Sequence, residues 1–139
     1  MNYGSPRVNA WRGRAFERVC FWHIPQIKAR LGISGIEADV YSWRGKGVDD
    51  GSGGAQIDML IDRADGVVDV CEIKYSAEPY ELDKDEDAKI VHRAETFRKA
   101  SRTRKSVRSV MISAAGLKPG KYSGNIMAVV TGDDLFAEL

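Results

Sequence analysis

From 56 to 63 the chain alternates, with Ile57, Met59 and Ile61 on one side and Gln56, Asp58, Leu60 and Asp62 on the other. That is the period-2 pattern of a strand. A second run, 67–74, is rich in valine and ends in Glu72 and Lys74. Between them Ala64, Asp65 and Gly66 suit a three-residue hairpin loop, a type I turn closed by a left-handed glycine. This loop sets a register of Arg63 opposite Val67, Leu60 opposite Val70 and Asp58 opposite Glu72. Side chains directly opposite on one face have Cβ atoms roughly 4.5–5.5 Å apart. Lys74 shares the parity of Glu72, so the pattern predicts two carboxylates and a lysine on one side of a sheet.

The remaining pattern frames this hairpin. Residues 1–8 show no periodicity and carry Gly4 and Pro6, so they are expected to be a flexible lead-in. Asn9 is the expected N-cap of a helix over 10–23, with Gly13, Phe16, Cys20 and Ile24 on one face and Glu17 in its middle. Pro25 restarts the helix over 25–31, and Gly32 closes it. Residues 36–43 alternate as a strand, and the glycine-rich 44–54 reads as a loop. A long polar helix opens at Asp83 or Asp85 and runs to about Ser101, covering one sheet face with Ala88, Val91, Ala94 (with Ile90) and Phe97. Strands follow at 107–113 and 125–131, and Asp133 caps a last short helix. The order is mixed α/β, an antiparallel meander followed by a crossover to a further strand.

At 139 residues, one domain spanning 1–139 is expected. The 43% hydrophobic and 29% charged content is ordinary for a globular chain. A net charge of +1 neither demands nor excludes a polyanionic partner. Local charge says more: Arg98, Lys99, Arg102, Arg104, Lys105 and Arg108 crowd one stretch, while 78–87 is strongly acidic. Cys20 and Cys71 have no metal-type spacing and fit buried thiols in a reducing compartment. With no apolar run of membrane-spanning length and no signal-peptide pattern, the cytoplasm is the expected location and no membrane partner is implied. Trp11, Trp22 and Trp43 are expected to pack as core or cover residues.

Like charges directly opposite on a sheet destabilise it, so Asp58 and Glu72 need compensation. A shared proton or a divalent cation would supply it. One or two carboxylates with retained waters suit Mg²⁺ or Mn²⁺ rather than zinc. Such an ion assists phosphoryl chemistry, and a lysine beside it can position water or stabilise the phosphorane. The competing reading of the same spacing is a solvated hairpin with acids and a lysine on its wet face. Glu17, an acid on a buried helix stripe, also needs a partner.

Glu17, Asp58 and Glu72-Ile73-Lys74, in this order, resemble the signature of the PD-(D/E)XK nuclease superfamily. The longer segments WRGRAFERVCFWHIPQIKARLGISG, GAQIDMLIDR and CEIKYS resemble the carboxy-terminal domain of bacterial and archaeal ATP-binding proteins of the AAA type. The resemblance covers the chain from about Trp11 onward. It implies a restriction-endonuclease-like αβββαβ core, a mixed central sheet flanked by helices. By the same resemblance Asp58 and Glu72 are metal ligands for Mg²⁺ or Mn²⁺, Lys74 is the catalytic lysine, and Glu17 completes the acidic cluster. Gln56 is a candidate to orient a phosphate or water. Arg98, Lys99, Arg102, Arg104 and Lys105 are the first choice for nucleic-acid phosphates.

The expected function is metal-dependent hydrolysis of nucleic acid, with DNA as the substrate. The alternative is a non-catalytic DNA- or protein-binding module serving an AAA-type ATPase. No GxxxxGK[ST] sequence occurs in the chain, so any ATPase partner lies outside it. A homo-oligomer stays open.

Overall fold

The computed structural model describes residues 5–46 and 54–139. The expectations for 1–4, and most of the 44–54 loop, lie outside the described residues. Helix α1 spans Pro6–Trp22, beginning earlier than the apolar periodicity suggested. Ser5, not Asn9, caps it: the Ser5 side chain accepts a hydrogen bond from the Val8 N–H at 3.2 Å. Pro6 sits at the first helical position, where its missing N–H costs nothing. One non-helical residue, His23, separates α1 from α2 (Ile24–Arg30), and Gly32 at φ +75° closes the second helix.

Five strands follow: β1 (Ala38–Gly45), β2 (Ala55–Arg63), β3 (Val67–Lys74), β4 (Ser106–Ser113) and β5 (Ile126–Thr131). They form one sheet in the order β1-β2-β3-β4-β5. The first three strands run antiparallel as a meander, whereas β3-β4 and β4-β5 are parallel. Helix α3 (Lys84–Ser101) makes the crossover from β3 to β4, capped by Asp83, whose side chain accepts the Glu86 N–H. Helix α4 (Gly132–Leu135) opens with a capping box between Thr131 and Asp134, so the cap falls two residues before the expected Asp133. The protein is therefore α/β, a mixed sheet with helices on both faces, and the element order contains the expected αβββαβ sequence.

Two apolar layers hold the sheet. On one face Phe16, Cys20 and Ile27 of α1 and α2 and Leu135 of α4 pack on Met59, Ile61, Cys71, Ile73, Val110 and Ile112. On the other, Phe97 of α3 packs on Ile57, Leu60, Val68 and Val70, and Ile90 packs on Met111. Strand β3 is covered on both sides, which is why its sequence is nearly continuous in apolar residues. Among the described residues no helix is long and apolar enough to cross a membrane.

One charged cluster lies within this core. Asp69 of β3 is fully buried and binds both Arg63 (3.2 Å) and Arg108, linking β3 to β2 and β4. Arg63 also grips Asp65 in the turn at 2.6 Å. Removing one partner of a buried ion pair typically costs about 3–5 kcal/mol because the remaining charge is left uncompensated. Asp69→Ala should therefore lower the urea-unfolding free energy by about that amount. A loss below about 1 kcal/mol would place these ions in the class of surface pairs.

Candidate active site

The hairpin forms in the predicted register: Leu60 faces Val70, Met59 faces Cys71, and Gly66 closes the turn at φ +89°. The ladder then stops. Asp58 and Glu72 would be the next pair, but they do not join it. The cause lies on the other side of β2. Tyr41 pairs with Leu60 and Trp43 with Ile57, so Ser42 alone stands opposite both Asp58 and Met59. This is a β-bulge, one extra residue on β2, and it reverses the facing of everything before Met59. Ile57 consequently packs beside Leu60 and Phe97, not with Met59 and Ile61 as strict alternation predicted.

The bulge also corrects the expectation that Asp58, Glu72 and Lys74 share a face. Asp58 lies toward α1, in an open cleft of about 480 Å³ lined also by Arg14, Glu17, Arg18, Phe21, Trp22, Ser42 and Gln56. Its Oδ2 accepts the backbone N–H of Ile73 at 3.1 Å, occupying the fork where β2 and β3 part. Glu72 and Lys74 lie on the α3 side. Glu72 is buried against Arg93, while Lys74 Nζ lies 3.5 Å from Glu86 Oε2 and 5.6 Å from the centre of the Tyr80 ring. The acids thus approach one fork from opposite sides of β3.

Electrostatics couple the two halves. Burial raises the Glu72 carboxyl to about 7; Arg93 and Lys74 oppose the rise, and the charges of Asp58 and Glu86 add to it. Burial and then the Asp58 charge raise Glu17, against the lowering effect of Arg14. Cys20, behind the fork, is pushed up to about 12 by burial and by the charges of Glu17 and Asp58, so it remains an inert thiol. Glu17 therefore belongs to the Asp58 side of the site, as its place on the buried stripe of α1 suggested.

Gln56 is exposed at the rim of the cleft, where it accepts a hydrogen bond from Arg44 at 3.0 Å. It also lines a smaller hollow on the α3 side with Lys89, His92 and Arg93. The basic cluster is elsewhere. Helix α3 has 18 residues, about 27 Å of length, and carries the chain from Lys74 back to the turn end of the sheet. Arg98, Lys99, Arg102, Arg104 and Lys105 therefore sit at the opposite end from Asp58 and Glu72. Arg98 is bound to Glu95 at 2.6 Å, and Lys105 to Asp62 at 2.6 Å. The cations that border the fork are Arg14, Arg18, Arg44, Lys89 and Arg93.

Arg93 was missed in the sequence although a signal was there. Glu86, Ile90, Arg93 and Phe97 follow helical spacing, so Arg93 interrupts the sheet-facing stripe of α3 just as Glu17 interrupts that of α1. His23 and His92 make local contacts, to the Val19 carbonyl at 2.7 Å and the Thr96 hydroxyl at 3.4 Å.

Comparison with known proteins supports the α/β class. No protein-family model matches the chain, and no curated protein is significantly similar to it. Among solved structures, a crystal structure described as a protein of unknown function, AF1548, shares the fold with a TM-score of 0.54 at 16% sequence identity. The match covers 83% of this chain and 59% of that one, so this chain spans about three fifths of that protein's length.

The raised Glu72 carboxyl has a stability consequence. Its folded value, about 7, lies above the ordinary 4.5, so the native state holds the proton more tightly than the unfolded state does. The associated stability is complete below pH 4.5 and is lost as pH rises through 7. At 1.36 kcal/mol per pH unit the loss is at most about 3 kcal/mol. Glu72→Gln should flatten this part of the stability profile, gaining on the parent protein between pH 5 and 8 in thermal unfolding. Parallel profiles for the two proteins would show that Arg93 fully offsets the burial.

Proposed function

We propose that the protein is a metal-dependent nuclease of the PD-(D/E)XK type that hydrolyses phosphodiester bonds in DNA. The observation that carries this reading is the fork between β2 and β3. There Asp58 binds the Ile73 N–H with Glu17 in the same cleft, while Glu72 and Lys74, the residues flanking Ile73, lie on the other side of β3 at the end of an αβββαβ core.

The donor chemistry fits Mg²⁺ or Mn²⁺. The acids offer hard oxygen ligands, and the Asp58 charge raises the proton affinity of both Glu17 and Glu72, which a nearby dication would relieve. Among the described residues no group of three or more His, Cys, Asp or Glu side chains is arranged to hold a metal. Asp58 and Glu72 are the residues that would hold the ion, with waters completing its shell, a common mode for Mg²⁺. It would supply Lewis acidity toward a phosphoryl oxygen and lower the pKa of the attacking water.

The chain's own groups do the rest. Lys74, held between Glu86 and Tyr80, orients the attacking water or stabilises charge on the pentavalent phosphorus. Glu17 accepts a hydrogen bond from water on the open side of Asp58. Arg14 and Arg18 present cations to the scissile strand across the same cleft. Glu72 would hold the ion in place of its present partner Arg93, whose guanidinium would then be free to meet a substrate phosphate.

A second reading rests on the same ion pairs. Glu72 is already paired with Arg93, and Lys74 with Glu86 at 3.5 Å, the kind of arrangement expected of a non-catalytic module that serves an AAA-type ATPase. Plasmid, single-stranded DNA and RNA incubated with Mg²⁺ or Mn²⁺ separate the two. The nuclease reading predicts cleavage of DNA, lowered about 10²-fold or more in Lys74→Ala. No cleavage of any substrate with either ion would favour the module.

A further inference from the structure

Helix α1 carries two tryptophans for which the catalytic reading has no use. Trp43 packs edge-on against Phe97 at 5.4 Å, as a cover residue should. Trp11 and Trp22 do not pack in this way: they are 64% and 74% exposed. Tryptophan is highly buried on average, so two such residues on one helix call for a partner. They lie eleven positions apart, and at 100° per residue their directions differ by only about 20°. The same face carries Arg14, Arg18, Ala15 and Val19, which with the two tryptophans line a shallow hollow. The result is an aromatic and cationic stripe about 16 Å long.

This stripe runs into the candidate site. Arg14, Arg18 and Trp22 line the hollow and also line the cleft that holds Glu17 and Asp58. Glu17 lies one helical step around from Arg14, so the stripe's cationic edge faces the acids. An apolar partner helix would leave Arg14 and Arg18 desolvated at its centre, a costly arrangement. A duplex keeps its bases stacked inside and offers the tryptophans only a sugar-phosphate edge. A single strand satisfies both features, because its bases stack on aromatic rings while its phosphates meet arginines.

We propose that the Trp11–Trp22 face of α1 binds single-stranded DNA and feeds it to the fork. At roughly 3.4 Å per phosphate, the stripe accommodates about five stacked nucleotides. This assignment rests on the nuclease reading for its choice of DNA, but the binding can be measured without cleavage.

The test uses the full chain in EDTA, with binding followed by fluorescence anisotropy. The probes are a labelled oligo-dT, a blunt duplex of similar length and an oligo-U RNA. The expected result is tighter binding of the DNA single strand than of the duplex or the RNA. Trp11→Ala and Trp22→Ala should each weaken single-strand binding about tenfold or more. Trp11→Phe and Trp22→Phe should restore most of it, which a merely structural role would not predict. Both positions are exposed, so circular dichroism should be unchanged. Replacing Arg14 and Arg18 by Gln should reduce the salt slope by about 0.7 per lost phosphate contact.

Single-strand affinity unchanged in the double alanine variant would overturn the proposal. So would a duplex bound as tightly as the single strand, or RNA bound more tightly than DNA. Cleavage with Mg²⁺ is scored separately. An active enzyme indifferent to both tryptophans would sink the stripe and leave the nuclease standing. An inactive protein that binds single strands through them would do the reverse.

Discussion

One hydrogen bond organises the site: the Ile73 N–H donates to Asp58 Oδ2 where β2 and β3 separate. A backbone N–H in the core of a sheet must find an acceptor, and an unmatched one is costly. Here the ladder has ended, and a carboxylate takes the place of the missing strand partner. It can do so because the bulge opposite Ser42 turns Asp58 out of the alternation. The same bulge sends Ile57 to the α3 side, where it packs with Phe97. Core packing and carboxylate placement are thus two consequences of one extra residue.

The rest of the molecule serves that fork. Two layers of helices cover β3, so its Glu72 is buried and its carboxyl is pushed up toward neutrality. Arg93 from one layer and Arg14 from the other set limits on how far that rise can go at Glu72 and Glu17. Far from the fork, the buried Asp69 between Arg63 and Arg108 ties β3 to both of its neighbours. Rigid anchoring at one end and an open fork at the other would suit a strand with the proposed chemistry at its tip.

Much of this was legible in the chain. The hairpin register followed from alternation and from Gly66, because turn chemistry and burial pattern are both local. The helix and strand order followed for the same reason. Glu17 stood out because an acid on an apolar stripe needs a partner. What local pattern could not supply was the facing of Asp58, since the bulge arises from pairing with β1 across a loop. Nor could it supply the position of the Arg98–Lys105 cluster. Closeness in sequence to the sheet conceals a helix that runs the whole length of it. The exposure of Trp11 and Trp22 was misjudged for a related reason: composition favours burial, and only the placement of α1 shows which side faces outward.

In the proposed function the fork between β2 and β3 would bind an ion between the two sides of β3. Amide-resolved NMR with substoichiometric Mn²⁺ tests it directly, because paramagnetic broadening reports distance from the bound ion. The Ile73 amide and its neighbours at Asp58 and Glu72 should broaden first, and Asp58→Asn should abolish the effect. Broadening centred elsewhere, such as on the acidic stretch at the start of α3, with these amides unaffected, would contradict it.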